Sequence, residues 1–145
     1  MNISKKQDLS IVYWLKDHVP SSVHVVDGFP TTSLELPTTS VTALDMRGSP
    51  FELGGKELVR QLWRIDVFGA NINQRDLMAS TIFEELENNI PVYDYDFGFP
   101  PPVPPRIGTL IVTERRLTPV HVFEDLVEKL YYRTSITFFT YYQPS

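Results

Sequence analysis

The chain has 145 residues, of which 42% are hydrophobic and 21% are charged, and its formal net charge at pH 7 is −5. This size and balance predict one globular domain spanning residues 1–145. Cysteine is absent, which excludes disulfides and thiolate metal sites. An acidic chain without a surplus of Lys and Arg is not expected to bind nucleic acid tightly, although DNA could pass such a surface without sticking.

The sequence contains no apolar run approaching 18 residues, so we expect no membrane-spanning segment. Its start, MNISKKQDLSIVYWL, lacks the continuous apolar stretch of a signal peptide. We therefore expect synthesis in the cytoplasm.

The first predicted element is a helix over residues 5–19. Ser4 is the expected N-cap, and Gln7 stands three residues later, as in a capping box. Pro20 ends the helix. One mostly apolar face follows the i, i+3, i+4, i+7 spacing: Ile11, Trp14, Leu15 and His18.

Three strands are predicted next, over residues 23–26, 41–46 and 59–68. The third alternates with period two, and we expect its core face to consist of Val59, Gln61, Trp63, Ile65 and Val67. Residues 47–55 are too many for a tight turn, so they predict a projecting loop that offers Phe51 and Leu53 to a partner. Gly54-Gly55-Lys56 lacks the other residues of a phosphate-binding loop.

A second helix is predicted over residues 74–89, with Asn73 as its N-cap. Its apolar face is expected to consist of Ala79, Ile82, Phe83, Leu86 and Ile90. Because this helix lies between two strands, it suggests a right-handed crossover connection.

The following segment, residues 97–106, contains five prolines between Pro100 and Pro105. Proline excludes helix and removes backbone donors, so we expect a stiff, extended, polyproline-like loop. Two interpretations stay open: a rigid connector, or an arm that contacts a partner at little entropic cost. In the second case the contacting residues are Phe97, Phe99, Val103 and Arg106.

The last part of the chain predicts a strand over residues 108–115, a connection over 119–124 and a final strand within 126–142. Six aromatic residues fall between Tyr131 and Tyr142. The final strand is either a central core strand, apolar on both faces, or a strand whose far end packs on another subunit. The second interpretation makes Arg133, Phe139, Tyr141 and Tyr142 interface candidates.

The order of helix, strands, helix and strands predicts an α+β fold, with a mostly antiparallel sheet and two main helices on one face. No nucleophile or dinucleotide motif occurs, and the three histidines lack metal-ligand spacing. We therefore expect no enzyme, cofactor, catalytic residue or metal site. The competing hypothesis is a small metal-dependent enzyme that uses Asp94 and Asp96, two apart on a strand, together with His121.

The order of segments nevertheless resembles a known family. The helix KKQDLSIVYWLKDHV precedes FELGG, the long strand LVRQLWRIDVFGAN and the helix QRDLMASTIFEELEN. These are followed by IPVYDYDFGFPP, IGTL and DLVEKLYYRTSITFFTYY. This layout is similar to that of the tail terminator, or tail-completion, proteins of long-tailed bacteriophages. The similarity covers nearly the whole chain, although the five-proline loop is not part of the family pattern.

The resemblance implies a non-enzymatic virion protein that forms a homohexameric ring. Such a ring caps the tail tube, stops its polymerisation and joins it to the neck protein on the head side. DNA would then pass through without tight binding. The alternative within the same structural class is an adaptor on the head side of the neck.

Overall fold

The computed structural model describes residues 1–29, 35–49, 58–120 and 133–145. Phe51, Leu53 and His121, like the Gly54-Gly55-Lys56 segment, lie outside these residues. The described elements, in chain order, are α1 (Ile3–His18), β1 (His24–Asp27), β2 (Thr38–Ser49), β3 (Leu58–Phe68), α2 (Ile72–Glu85), β4 (Ile90–Tyr93), a short 3-10 turn (Tyr95–Phe97), β5 (Arg106–Val120) and β6 (Arg133–Pro144).

The described strands form one sheet in the order β1-β2-β3-β6-β5-β4. The β1–β2 pair is parallel and the other pairs are antiparallel. Both helices share one hydrophobic core with a single face of this sheet. The predicted α+β fold, with a mostly antiparallel sheet and the helices on one face, is therefore confirmed.

Both helices begin two residues earlier than predicted. Asn2 and Asn71 are extended, and their side-chain oxygens accept hydrogen bonds from the backbone N–H of Lys5 and Gln74, each at 2.8 Å. Asn competes well with Ser as an N-cap, so Ser4 and Asn73 lie in the first turns instead. The helix predicted to reach residue 89 ends at Glu85, and Ile90 belongs to β4.

The crossover prediction is wrong, because β3 and β4 run antiparallel with β6 and β5 between them. Two strands are also longer than predicted. Strand β2 continues to Ser49, so the loop expected from residue 47 starts later. Strand β5 continues to Val120, since its pairing with β6 extends through Pro119. The residues expected to connect these strands thus belong partly to the ladder.

The C-terminal strand β6 lies inside the sheet, between β3 and β5. Ile136 and Phe138 are fully buried, and they pair with Ile65 and Trp63 of β3. The Trp63 indole N–H donates to the Thr140 hydroxyl at 2.9 Å. This half of the aromatic terminus therefore finds its burial within one molecule, as the core-strand interpretation expects.

Helix α1 contacts both outer strands of the described sheet, β1 and β4. Lys5 reaches the Asp27 carboxylate at the end of β1 at 2.6 Å. On the other side, the Ser10 hydroxyl accepts a hydrogen bond from the backbone N–H of Tyr93 in β4 at 3.1 Å. The helix thus bridges the two outer strands of a curled sheet, and its N-terminal half holds the segment that leads into the proline-rich loop.

Candidate functional site

The proline-rich loop carries the most exposed aromatic side chains of the described residues. Phe97 is 76% exposed, Phe99 60% and Val103 52%. The Phe99 ring lies 5.5 Å from that of the buried Tyr95. Large apolar side chains at this exposure, adjacent in one loop, are typical of a contact surface.

The proline-rich loop, which we predicted to be stiff and extended, has bends at residues 100–102. Its Pro100–Pro101 and Pro101–Pro102 peptide bonds are cis.

The start of the loop is anchored to α1 by charge. The Lys6 ammonium lies 2.9 Å from the Asp94 carboxylate and 2.8 Å from that of Asp96. The Met1 amine lies 3.0 Å from the other Asp96 oxygen. Hydrogen bonds from Lys6 and from the Met1 amine lower the pKa of Asp96, while Asp96 and then Asp94 raise the pKa of Lys6. These exposed pairs orient the segment more than they stabilise it.

The metal hypothesis placed Asp94 and Asp96 on one face of a strand, and this placement is wrong. Strand β4 ends at Tyr93, and Asp94 caps the 3-10 turn by accepting from the Asp96 N–H at 3.2 Å. Both carboxylates converge on one cation, and that cation is the ammonium of Lys6. Among the described residues, no group of three or more His, Cys, Asp or Glu is placed to hold a metal ion.

A groove of about 260 Å³ runs between the outer side of α1 and the proline-rich loop. Helix α1 supplies Leu9, Tyr13 and Lys16 to its walls, the 3-10 turn supplies Tyr95, and the loop supplies Phe99 and Pro100. The groove is thus mostly apolar, with one ammonium at its rim.

A second groove, of about 450 Å³, lies where the core face of the sheet extends past the start of α1. Ile3, Met46 and Val59 line it and are 42%, 57% and 43% exposed. Strand alternation assigned Val59 to the core, and this was wrong because no helix of the described residues covers that end of β3. Tyr141 and Tyr142 complete the wall.

The other interface candidates are engaged within the molecule. Arg106 donates to the Gly108 carbonyl at 3.2 Å and to the Thr109 hydroxyl at 2.6 Å, so it folds onto its own strand. The Tyr142 hydroxyl donates to the Ile107 carbonyl at 3.1 Å. Phe139 and Tyr141 are half-buried. The structure therefore brings Phe99 together with α1 at the first groove, and Tyr141 and Tyr142 together at the second groove, while Phe97 stays exposed.

Arg133 belongs to a cluster that the sequence reading missed, on the face of the sheet opposite the helices. The carboxylate of Asp66 has no exposure, and it accepts from Arg133 at 2.8 and 3.0 Å, from the Ser135 hydroxyl at 2.6 Å and from Arg64 at 2.9 Å. The Phe29 ring lies against both guanidinium groups, at 5.0 and 5.8 Å. In the sequence, the alternation of Arg64 and Asp66 with core residues is the pattern that indicates this cluster.

No known protein family and no curated protein matches this chain. Within the described residues, neither helix has the length and apolar character needed to cross a bilayer. The candidate functional surfaces of the described residues are two mostly apolar grooves, one exposed aromatic loop and an arginine-rich sheet face.

Proposed function

We propose that this chain is a structural subunit of a bacteriophage tail or neck, acting as a homo-oligomeric ring that caps the tail tube and joins it to the head side. The proposal combines the layout that resembles tail terminator proteins with an α+β domain of suitable size. The observation that carries it is the apolar loop around Phe97 and Phe99, which is exposed in the single chain yet anchored to α1.

The physical requirement for such a subunit is modest. A cyclic ring needs two different patches that meet on neighbouring copies. A terminator also needs a surface that binds the last ring of the tube while presenting no further tube-binding surface. A preordered loop serves either contact well, because little conformational freedom is lost when it binds.

The experiment that tests the proposal measures assembly. We expect the purified chain to sediment as an oligomer at high micromolar concentration and to form rings in negative-stain electron micrographs. Light scattering after size exclusion gives the mass. A strict monomer that also fails to assemble on isolated tail tubes would overturn the proposal.

Substitution of the loop supplies the first prediction. Phe97→Ser together with Phe99→Ser should weaken assembly, or attachment to tail tubes, at least tenfold, because each side chain would lose its apolar burial at the contact. The matched control is Leu44→Ser on β2, where a leucine is 38% exposed. Equal behaviour of the two variants would show that the loop makes no such contact.

Complementation separates the tail terminator from the head-side adaptor. The purified chain, added to lysates that lack it, should complete unjoined tails if it is a terminator. Completion of unfinished heads instead would favour the adaptor. In the competing metal-enzyme hypothesis, a cation would have to displace the Lys6 ammonium, which pairs with both Asp94 and Asp96.

A further inference from the structure

The helix-free side of the sheet carries an unusual number of arginines. Arg60 and Arg64 lie on β3, Arg116 on β5 and Arg133 on β6. The strand register places them on one side, because Arg64 and Arg116 both pair with Thr137, and Arg133 pairs with Phe68. We call these four residues the arginine face.

The arginine face has a positive surplus within an acidic chain. Its acidic neighbours among the described residues are Asp66, which is bound to Arg64 and Arg133, and Glu114, whose carboxylate lies 3.4 Å from Arg60. Within the described residues, four guanidinium groups against two carboxylates give this face a net charge of +2, although the chain as a whole carries −5.

Three of the four arginines are held in place by contacts within the molecule. Buried Asp66 fixes Arg64 and Arg133, and the Arg60 guanidinium lies over the Phe139 ring at 4.6 Å. Arg116 is exposed and has no ion pair within the described ranges. Arginine and aromatic side chains are enriched at protein interfaces, above all among the residues that contribute most to binding.

The outer side of α2 offers the complementary chemistry. Asp76, Leu77, Ser80 and Glu84 share this side by helical spacing, and all four are exposed. Leu77 is 71% exposed, more than any other described leucine. Asp76 is paired with Arg75 at 2.8 Å, whereas the Glu84 carboxylate has no ion pair in the part of the chain that the structure describes.

The dimensions of the two surfaces agree. Asp76 and Glu84 are eight residues apart on a helix, or about 12 Å along its axis. Arg60 and Arg64 are four residues apart on a strand, or about 13 Å. Half-buried Leu62 lies between these arginines in sequence and on the same side, as Leu77 lies between the two acids. An apolar contact flanked by charge pairs would therefore be in register.

We propose that the arginine face of one copy binds the outer side of α2 on a second copy. The inference rests on the proposed ring and names its contact. The two surfaces differ, so the contact is heterologous, and its repetition closes a ring when the rotation between copies allows it.

A charge-swap experiment on the full chain tests the contact. With Glu84 at the Arg64 end of the arginine face, it also faces Arg116, because Arg64 and Arg116 pair with the same Thr137. Arg116→Glu and Glu84→Arg should then each lower the association constant at least tenfold, because each places like charges across the contact. The double variant should recover most of the loss, since the reversed charges attract again. Sedimentation velocity at several concentrations gives the association constants, and circular dichroism confirms that each variant folds.

The control is Asp17→Lys, which makes a charge change of the same size and sign as Glu84→Arg at an exposed position of α1 and should leave association unaltered. If the wild-type chain forms rings and both single reversals do so equally well, this contact is wrong while the ring stands. A chain that is monomeric under all conditions overturns both. Binding of a labelled single-stranded oligothymidylate that Arg116→Glu abolishes, with ring mass unchanged, would assign the face to nucleic acid instead.

Discussion

At the scale of single residues, two partly or fully buried aspartates show opposite solutions to the cost of burying charge. Asp66 receives four hydrogen bonds from three side chains, and such a set compensates the loss of hydration. Asp8, with a side chain only 14% exposed, lies 3.3 Å from Lys5, and its Oδ1 atom is buried without a hydrogen-bond partner. Asp8 is therefore the less well satisfied of the two.

Burial, together with the hydrogen bond to the Asp27 carboxyl group and the charge of that group, raises the pKa of Asp8 to about 7 against the opposing effect of Lys5. Burial also acts to raise the pKa of Asp27, but hydrogen bonds from protonated Asp8 and from Lys5 outweigh it, so that pKa is lowered. The pair thus shares one proton at the junction of α1 and β1 near neutral pH.

The sign of the resulting pH dependence follows from these shifts. Between the ordinary value of 3.8 and about 7, the folded chain keeps a proton on Asp8 that the unfolded chain has released. The contribution of Asp8 to stability therefore falls as the pH rises through this window. The lowered pKa of Asp27 has the opposite effect. Its contribution to stability is present above the ordinary pKa of 3.8 and is lost as the pH falls below that value.

We predict that Asp8→Asn flattens the dependence of the unfolding free energy on pH between about 4 and 7. At about pH 8 the variant should be more stable than the wild-type chain by about 1 kcal/mol, after allowance for solvent screening. Urea unfolding at a series of pH values measures this. Asp17→Asn, at an exposed position of the same helix, should keep the wild-type slope, and a slope that Asp8→Asn leaves unchanged would contradict the assignment.

At the scale of elements, helix α1 closes the curled sheet by contacting both of its outer strands. Within this helix, the Ser10 side chain makes the contact that should be most sensitive to substitution. The Ser10 side chain is fully buried, donates to the Lys6 carbonyl at 2.6 Å and accepts from the Tyr93 N–H at 3.1 Å. This N–H lies at the end of β4, just before the segment that carries the proline-rich loop. The Ser10 hydroxyl thus links α1 to β4, the strand that precedes the proline-rich loop.

We predict that Ser10→Ala destabilises the fold by about 1–3 kcal/mol, because the Tyr93 N–H loses its partner in a dry environment. Hydrogen exchange should show faster exchange of the Tyr93 amide, and urea unfolding should give the free energy. Thr81→Ala is the matched control, since the exposed Thr81 hydroxyl makes a similar bond to the Leu77 carbonyl at 2.9 Å. Equal losses in both variants would argue against a special role for Ser10.

The elements also show what the sequence could predict. Periodicity found both helices, and alternation found the core residues Trp63, Ile65 and Val67, since a repeating pattern is local information. Alternation wrongly assigned Val59 to the core, because a helix covers the end of a strand only if the helix extends that far. It also missed the cluster around Asp66, because that burial requires Phe29, Arg64 and Arg133 from three different segments.

For the candidate site, the sequence predicted the exposed Phe97 and Phe99 but not the groove beside them. The groove forms only where α1 lies next to the loop, through ion pairs between Lys6 and two aspartates about 90 residues away in the chain. Arg106 and Tyr142 were expected at an interface, whereas backbone carbonyls of the same sheet engage them. Long-range pairing of this kind leaves no local signature.

At the scale of the whole molecule, the sheet edges are poorly suited to assembly by strand addition. Strands β1 and β4 are four residues long, so parts of β2 and β5 extend beyond them. Each of these longer strands contains a bulge there, between Ala43 and Met46 and between Thr113 and Arg116. Bulges twist an edge and interrupt its ladder. Side-chain surfaces, rather than edges, are therefore the route by which copies can meet.

The charged contact between the arginine face and α2 and the apolar contact around Phe97 should respond differently to salt. Charge pairs between the arginine face and α2 are screened as the Debye length falls from about 10 Å at 0.1 M to about 3 Å at 1 M, while apolar burial around Phe97 is not weakened in this way. We predict that association of the wild-type chain weakens severalfold over this range in sodium chloride, as measured by sedimentation velocity. The Phe97→Ser and Phe99→Ser variant should start weaker and show the same proportional salt loss, because it keeps the charge pairs. Association that strengthens with salt would mean that apolar contacts alone hold the copies together, and the charge-paired contact would have to be abandoned.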